Sequence, residues 1–296
     1  MRVAISGSTG LVGSALIAKC EAEGHECRRI VRRDSPNKTD IYWDPASGSM
    51  HSENLSEVDA VVHLAGDNIA EGRWNAAKKN RIRFSRVDGT RLLCESLAQM
   101  DAPPDTLIAA SAIGYYGSRG DEICNEENIP GSDFLADVCV EWEAATRAAS
   151  EAGIRVVNLR IGVVLSTKGG ALTKMLLPFK LCAGGRVGNG KQYWSWISLH
   201  DVVGAILHCI YNEQLSGPVN AVAPNPVTNL EFTKMLGKVL GRPTIIPMPA
   251  FMARLMLGEM ADALLLSSTR VTPQKLQSEG YDFTHKQLED ALRDLL

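Results

Sequence analysis

Residues 3–16 read VAISGSTGLVGSAL, and no other stretch constrains the chain as strongly. An apolar run leads directly into Gly7, Gly10 and Gly13, and a helix-period segment follows. Glycines at this spacing let the backbone turn sharply off a strand. They also let N–H groups approach a pyrophosphate, and let the next helix pack close to the strand it left. The competing reading is an ordinary tight turn between a strand and a helix. The strand signal before the glycines and the helix signal after them favour a dinucleotide cradle.

The same alternation continues through the first two thirds of the chain. Apolar, β-rich runs occur at 2–6, 27–31, 58–64, 105–111 and 154–161, and helix-period stretches at 11–23, 75–100 and 132–152. Strands and helices alternating at this spacing predict βαβ units and an α/β fold with a doubly wound parallel sheet. The near-continuous apolar runs VDAVVHLAG and TLIAASA suit central strands covered on both faces. After about residue 165 the texture changes to Gly- and Pro-rich loops between shorter helices. The expected organisation is a nucleotide-binding core over 1–165, completed by elements near 198–221, and a smaller C-terminal substrate lobe over 166–296. Ligands of open α/β sheets bind at the carboxyl edge of the strands, which is where that lobe is expected to lie.

Charge and cysteine content narrow the function classes. The formal net charge of -3 gives no reason to expect nucleic acid or an anionic membrane surface as partner. Seven dispersed cysteines with no C-x-x-C pair read as reduced thiols. The histidines form no metal-binding cluster, so no metal is expected. Gly7, Gly10 and Gly13 interrupt the N-terminal apolar run where a signal peptide would need continuity. The most apolar later stretch, 251–266, is broken by Arg254, Glu259 and Asp262, so a membrane span is not expected. A cytoplasmic location is the resulting expectation. The Met-rich part of that stretch, FMARLMLGEM, reads as core or as a subunit contact, which leaves a homodimer open.

The end of the second strand selects the dinucleotide. An NAD site usually places an acidic residue there for the ribose 2′-hydroxyl. Here the sequence is CRRIVRRDS, with Arg32 and Arg33 just past the apolar run and Asp34 next to them. Guanidinium groups match a 2′-phosphate that a carboxylate would repel, so NADP(H) is favoured over NAD. A solvated basic turn is the alternative.

HLAGDNI (63–69), SRVDGTRLL (85–93), SAIGYYG (111–117), FLADVCVEWEAA (134–145) and SWISLHDVV (195–203), with the glycine pattern, resemble an atypical group of short-chain dehydrogenases/reductases. The likeness is to the YfcH-like epimerase family, related to nucleotide-sugar epimerases. It spans the chain and includes a C-terminal segment from about Pro249 similar to that family's domain of unknown function. The resemblance implies an extended Rossmann fold and an NADP(H) site, and it supplies no substrate. It places Gly7, Thr9, Gly10, Leu11, Val12 and Gly13 at the pyrophosphate, and Arg32 and Arg33 at the 2′-phosphate. It puts Leu64, Ala65 and Gly66 on the ribose and nicotinamide side, with Ser111, Ala112, Arg160, Ile161 and Gly162 beside the nicotinamide.

Ordinary members of the superfamily carry Tyr-x-x-x-Lys on one helix face, where the ammonium tunes the phenol for proton transfer. In this chain Phe134 and Val138 stand in that register, and with Trp142 they read as a stripe of core packing. The accompanying serine falls at Ala112, with Ser111 one residue early, so Ser111 is a catalytic candidate only if the register slips. Tyr115 and Tyr116, just beyond the strand, are the remaining candidate proton donors. His63 reads as a packed strand residue. The leading expectation is an NADP(H)-dependent oxidoreductase acting on an unknown small-molecule or nucleotide-linked substrate. A non-catalytic NADPH-binding sensor or partner-binding module is the alternative, and a nucleotide-sugar epimerase comes third.

Overall fold

The apolar runs of the first two thirds become strands of one sheet: β1 (Arg2–Ser6), β2 (Glu26–Val31), β5 (Ala60–His63), β6 (Thr106–Ala112) and β7 (Arg155–Ile161). Two short strands, β3 (Ile41–Asp44) and β4 (Ser49–Met50), extend one edge, and β8 (Gly217–Ala221) closes the other. The computed structural model describes residues 1–33, 37 and 39–296, with the backbone alone at Ser52 and Glu53; Asp34 lies outside the described residues. The strand order is β8-β7-β6-β5-β1-β2-β3-β4. Pairing is parallel except between β3 and β4. After β4 the chain returns to pair β5 with the far side of β1, so the order reverses at β1 and a crevice opens between the carboxyl ends of β1 and β5.

Alternation along the strands sends successive side chains to opposite faces, and both faces are covered. Val3, Ile5, Val62 and Ile108 pack under α1 (Leu11–Ala22) and α6 (Leu199–Tyr211). On the other face, Ala4, Val61, Leu107 and Val156 meet Leu93 and Leu97 of α2 (Ala76–Ala98). Each fully buried aliphatic side chain contributes about 1.5–3 kcal/mol, which makes the sheet the stable frame for what lies at its edge.

The stretch 132–152 is not one helix. It splits into α3 (Phe134–Ala144) and α4 (Arg147–Glu151). At the break the Thr146 hydroxyl donates to the Glu143 carbonyl oxygen at 2.7 Å, a local bond that competes with helix continuation.

Beyond the sheet, α5 (Gly170–Lys180), α7 (Asn229–Leu240) and the terminal helix Leu288–Leu295 share a core of Leu172, Phe179, Phe232, Leu236 and Leu292. The Met-rich stretch begins as α8 (Ala250–Leu257), and there the expectation of a core segment is corrected. Phe251 and Leu255 are 68% and 73% exposed, and Ala253 is the buried residue of the helix. This short helix touches the body along one side only. Polar tethers help hold it: Arg73 donates to the Leu255 carbonyl, and Lys79 of α2 pairs with Glu259 at 2.6 Å. Among the described residues no helix is long and apolar enough to cross a membrane.

Candidate functional site

The cradle sits between the end of β1 and the start of α1. Gly7 has φ +64°, a conformation that costs glycine nothing. A methyl group on Gly7 would lie 2.8 Å from the backbone of Leu64, and one on Gly13 only 2.3 Å from the Gly7 carbonyl oxygen. Gly10 caps α1 without a side-chain hydrogen bond, and the first turn carries no acidic residue. The leading N–H groups of the helix are therefore left for an anion, and Thr9 and Gly10 stand exposed at the tip of the loop. Leu11 and Val12 are half-buried beside it. Residues 7–13 fit a pyrophosphate on steric and electrostatic grounds.

On the β2 side of the cradle, Arg32 and Arg33 follow Val31 and are exposed. On the other side, Leu64, Ala65 and Gly66 continue from β5. The Leu64 and Ala65 amides donate to Ser6 Oγ at 3.1 and 3.3 Å, and Ser6 Oγ lies 2.7 Å from His63 Nδ1. His63 is fully buried, as read from the sequence, and burial pulls its imidazole down to about 4, so it stays neutral. The loop beyond is fixed by Lys78, whose ammonium donates to Asp67 Oδ2 at 2.7 Å and to the Asn68 carbonyl at 2.6 Å.

At the carboxyl ends of β6 and β7, Ser111 pairs in register with Arg160. Both reach Glu143 of α3. Arg160 grips the carboxylate with two bonds of 2.8 Å, and Ser111 Oγ donates to the same carboxylate at 2.7 Å. Arg160 also donates to the Tyr116 hydroxyl at 2.9 Å, and that hydroxyl donates to Asn220 Oδ1 on β8 at 2.7 Å. Burial works against the Arg160 cation, but the Glu143 carboxylate more than offsets it and holds the guanidinium above its ordinary value. Burial pushes the Tyr116 phenol up to about 12 against the pull of Arg160. Tyr116 is fully buried and its proton is committed to Asn220. Tyr115 is half-buried; the Arg160 guanidinium lies 3.4 Å from its ring centroid, and its hydroxyl bonds to no protein group among the described residues. Ala112 and Ile161, half-buried, end these two strands. The Gly162 amide donates to the Ala221 carbonyl, and a methyl there would strike the Ser195 carbonyl oxygen at 2.7 Å.

Helix α3 starts where Asp133 Oδ1 accepts the Leu135 and Ala136 amides at 2.9 and 3.0 Å. The helix face turned to the end of β6 carries Leu135, Cys139 and Glu143. A methyl on Gly114 would meet Leu135 and Cys139, and Cys139 Sγ lies 3.8 Å from the Ala112 carbonyl. Val138 and Trp142 are buried on the α2 side, where Trp142 Nε1 donates to Thr90 Oγ1 at 2.8 Å. Phe134 departs from the core stripe: it is half-buried, edge-on to Trp74 at 5.5 Å, with Lys79 Nζ 4.9 Å from its ring. Neither face carries a phenol or an ammonium. Burial pushes the Cys139 thiol up to about 12.

Two residues given no role by sequence reasoning enter here. Glu143 joins the ends of two strands to α3. Arg86, within the SRVDGTRLL motif, packs its guanidinium between Gly66 and the Trp142 ring, 5.1 Å from the ring centroid.

The order reversal at β1, the glycine cradle beside it and the open carboxyl edge define a class: doubly wound α/β proteins with a dinucleotide-type cradle at the switch point. The chain belongs to the NAD dependent epimerase/dehydratase family, whose model matches residues 3–221, as the motif resemblance implied. Residues 248–295 match a domain of unknown function, DUF1731. An epimerase family protein of Mycobacterium bovis is 47% identical over 290 residues, 98% of this chain and 96% of its own. The crystal structure of the human epimerase family protein SDR39U1 with NADPH is 34% identical, covers 100% of this chain and 99% of its own, and has a TM-score of 0.91. That of the nucleoside-diphosphate sugar epimerase from Corynebacterium glutamicum is 38% identical with a TM-score of 0.84; the match covers 100% of this chain and 58% of that one.

Proposed function

We propose that this chain binds NADP(H) and exchanges a hydride with a small or nucleotide-linked substrate at the carboxyl edge of β5, β6 and β7. The cradle is the observation that carries the reading: glycine is the one residue that fits where a methyl would lie 2.3 Å from the Gly7 carbonyl oxygen. Arg32 and Arg33 support the 2′-phosphate form, and the human relative's structure with NADPH agrees with it. The cofactor supplies the hydride, and the protein's part is to hold it and to provide a proton. Tyr115 is the donor this reading assigns, because its hydroxyl is uncommitted while that of Tyr116 is already spent. Ser111 then acts by fixing Glu143 rather than by touching substrate. Calorimetric titration with NADPH and NADH tests the cofactor assignment: NADPH should bind more tightly, and equal affinities overturn it.

A second reading rests on a separate observation. The α3 face at the strand ends offers Leu135, Cys139 and Glu143, and Glu143 is fully engaged by Arg160 and Ser111. A site without a tuned acid suits a protein that holds NADPH without oxidising it, as a sensor or partner-binding module. Bound NADPH that stays reduced against a panel of aldehydes, quinones and sugar nucleotides favours this second reading. Oxidation by any one of them favours the first.

A further inference from the structure

Large apolar side chains that stand in water are concentrated in one stretch of the chain. Of the fourteen that are exposed among the described residues, six fall between 245 and 256: Ile245, Ile246, Phe251, Met252, Leu255 and Met256. The last four recur at i, i+1, i+4 and i+5, so they form one stripe along α8, turned away from the buried Ala253. The stripe is held on a fixed mount. The Met248 amide donates to the Arg186 carbonyl and the Gly188 amide to the Met248 carbonyl, both at 2.8 Å. Arg254 grips Asp262 at 2.8 Å.

At about 200 Å² for a fully exposed large side chain, the six leave on the order of 700 Å² of apolar surface in water. The largest apolar patch of a typical monomer covers about 300–600 Å², and one side of a standard stable interface about 800 Å². This surface is therefore sized for one protein partner. Phe and Met among branched aliphatics is also the composition of an interface core. Its margin carries both signs in balance, Arg254 with Asp262 and Lys79 with Glu259. A two-turn helix with no basic excess is a poor anchor for an anionic bilayer. A margin with equal charges of each sign can face a copy of itself across a two-fold axis without net repulsion, as an isologous contact requires.

We propose that this face is where a second copy of the chain docks, α8 against α8 across a two-fold axis. The test is the mass of the full chain by light scattering after size exclusion, with the dimer dissociation constant from sedimentation. The unmutated protein is compared with Phe251→Glu, Leu255→Glu and Val140→Glu, the last on α3. Phe251 and Leu255 are exposed, so a carboxylate there leaves the fold of the single chain intact, which circular dichroism checks. The unmutated chain should run at twice the chain mass at micromolar concentration. Phe251→Glu and Leu255→Glu should each raise the dissociation constant about a hundredfold or more and give the mass of one chain. Val140→Glu, at an exposed apolar residue of another helix, should change nothing. A monomeric unmutated chain overturns the proposal, as does a dimer that survives both α8 variants or one that Val140→Glu disrupts equally. Flotation of a monomeric chain with vesicles of neutral and anionic phospholipid overturns it too, and marks a membrane contact instead.

Discussion

Replacing Glu143 by glutamine tests how much of the strand-edge architecture hangs on one carboxylate. Glu143 accepts bonds of 2.8, 2.8 and 2.7 Å from Arg160 Nε, Arg160 Nη2 and Ser111 Oγ. The side chains of Arg160 and Glu143 are 3% and 13% exposed, so water screens the pair little. Glutamine keeps the shape but offers one acceptor oxygen, turns an NH2 toward a donor, and leaves the Arg160 cation without its counter-charge. Breaking a buried pair from one side costs about 3–5 kcal/mol. The lower end is expected here, because Arg160 keeps its bond to Tyr116 and its contact with the Tyr115 ring. Urea denaturation followed by circular dichroism would show the loss as a lower midpoint. The double variant Glu143→Leu with Arg160→Met removes both charges and should cost less than the sum of the single variants, since no orphaned charge remains. A Glu143→Gln unfolding free energy within about 1 kcal/mol of that of the unmutated chain, or strict additivity in the cycle, refutes this account of the edge.

Other expectations follow from single sites. Gly13→Ala should abolish measurable NADPH binding in calorimetry, because its methyl would lie 2.3 Å from a carbonyl oxygen. Arg33→Ala should narrow the gap between NADPH and NADH by about 1.5 kcal/mol, the worth of a charged hydrogen bond. Tyr115→Phe should reduce turnover of any substrate found by about a hundredfold with NADPH affinity kept, whereas Tyr116→Phe should chiefly lower the denaturation midpoint. His63 is held near 4, below its ordinary 6.5, so the folded chain binds fewer protons than the unfolded one. Its contribution is complete above pH 6.5 and drains away as pH falls toward 4, about 3 kcal/mol in all; His63→Asn should flatten that slope of stability against pH.

The sheet was legible because buried parallel strands write themselves as uninterrupted apolar runs, and β1, β2, β5, β6 and β7 fall where those runs lie. The short edge strands β3 and β4 carry no such signal. On α3 the residues 134, 135, 138, 139 and 142 are all apolar, so helical periodicity alone leaves the rotation of the helix undetermined. The Asp133 cap and the contacts of Gly114 set that rotation, and they put Leu135 and Cys139 at the strand edge and Phe134 at the rim. The two adjacent tyrosines look equivalent in a sequence. They part only because Asn220, 104 residues from Tyr116, supplies an acceptor for one of them. Glu143 and Arg86 acquire meaning only through partners that the chain brings back from far away.

The cradle itself shares that dependence. Its three glycines form a short linear motif, yet the turn at Gly7 lies directly against the backbone of Leu64, which arrives when Val3 pairs with Ala60. Parallel pairing over that separation is slow, because a long loop must close before any contact rewards it. The anion site is therefore a product of tertiary structure, complete only once β1 and β5 are paired. Nucleotide binding by this chain reports that β1 and β5 have met, and a substitution that merely delays their meeting will present in a refolding assay as a binding defect.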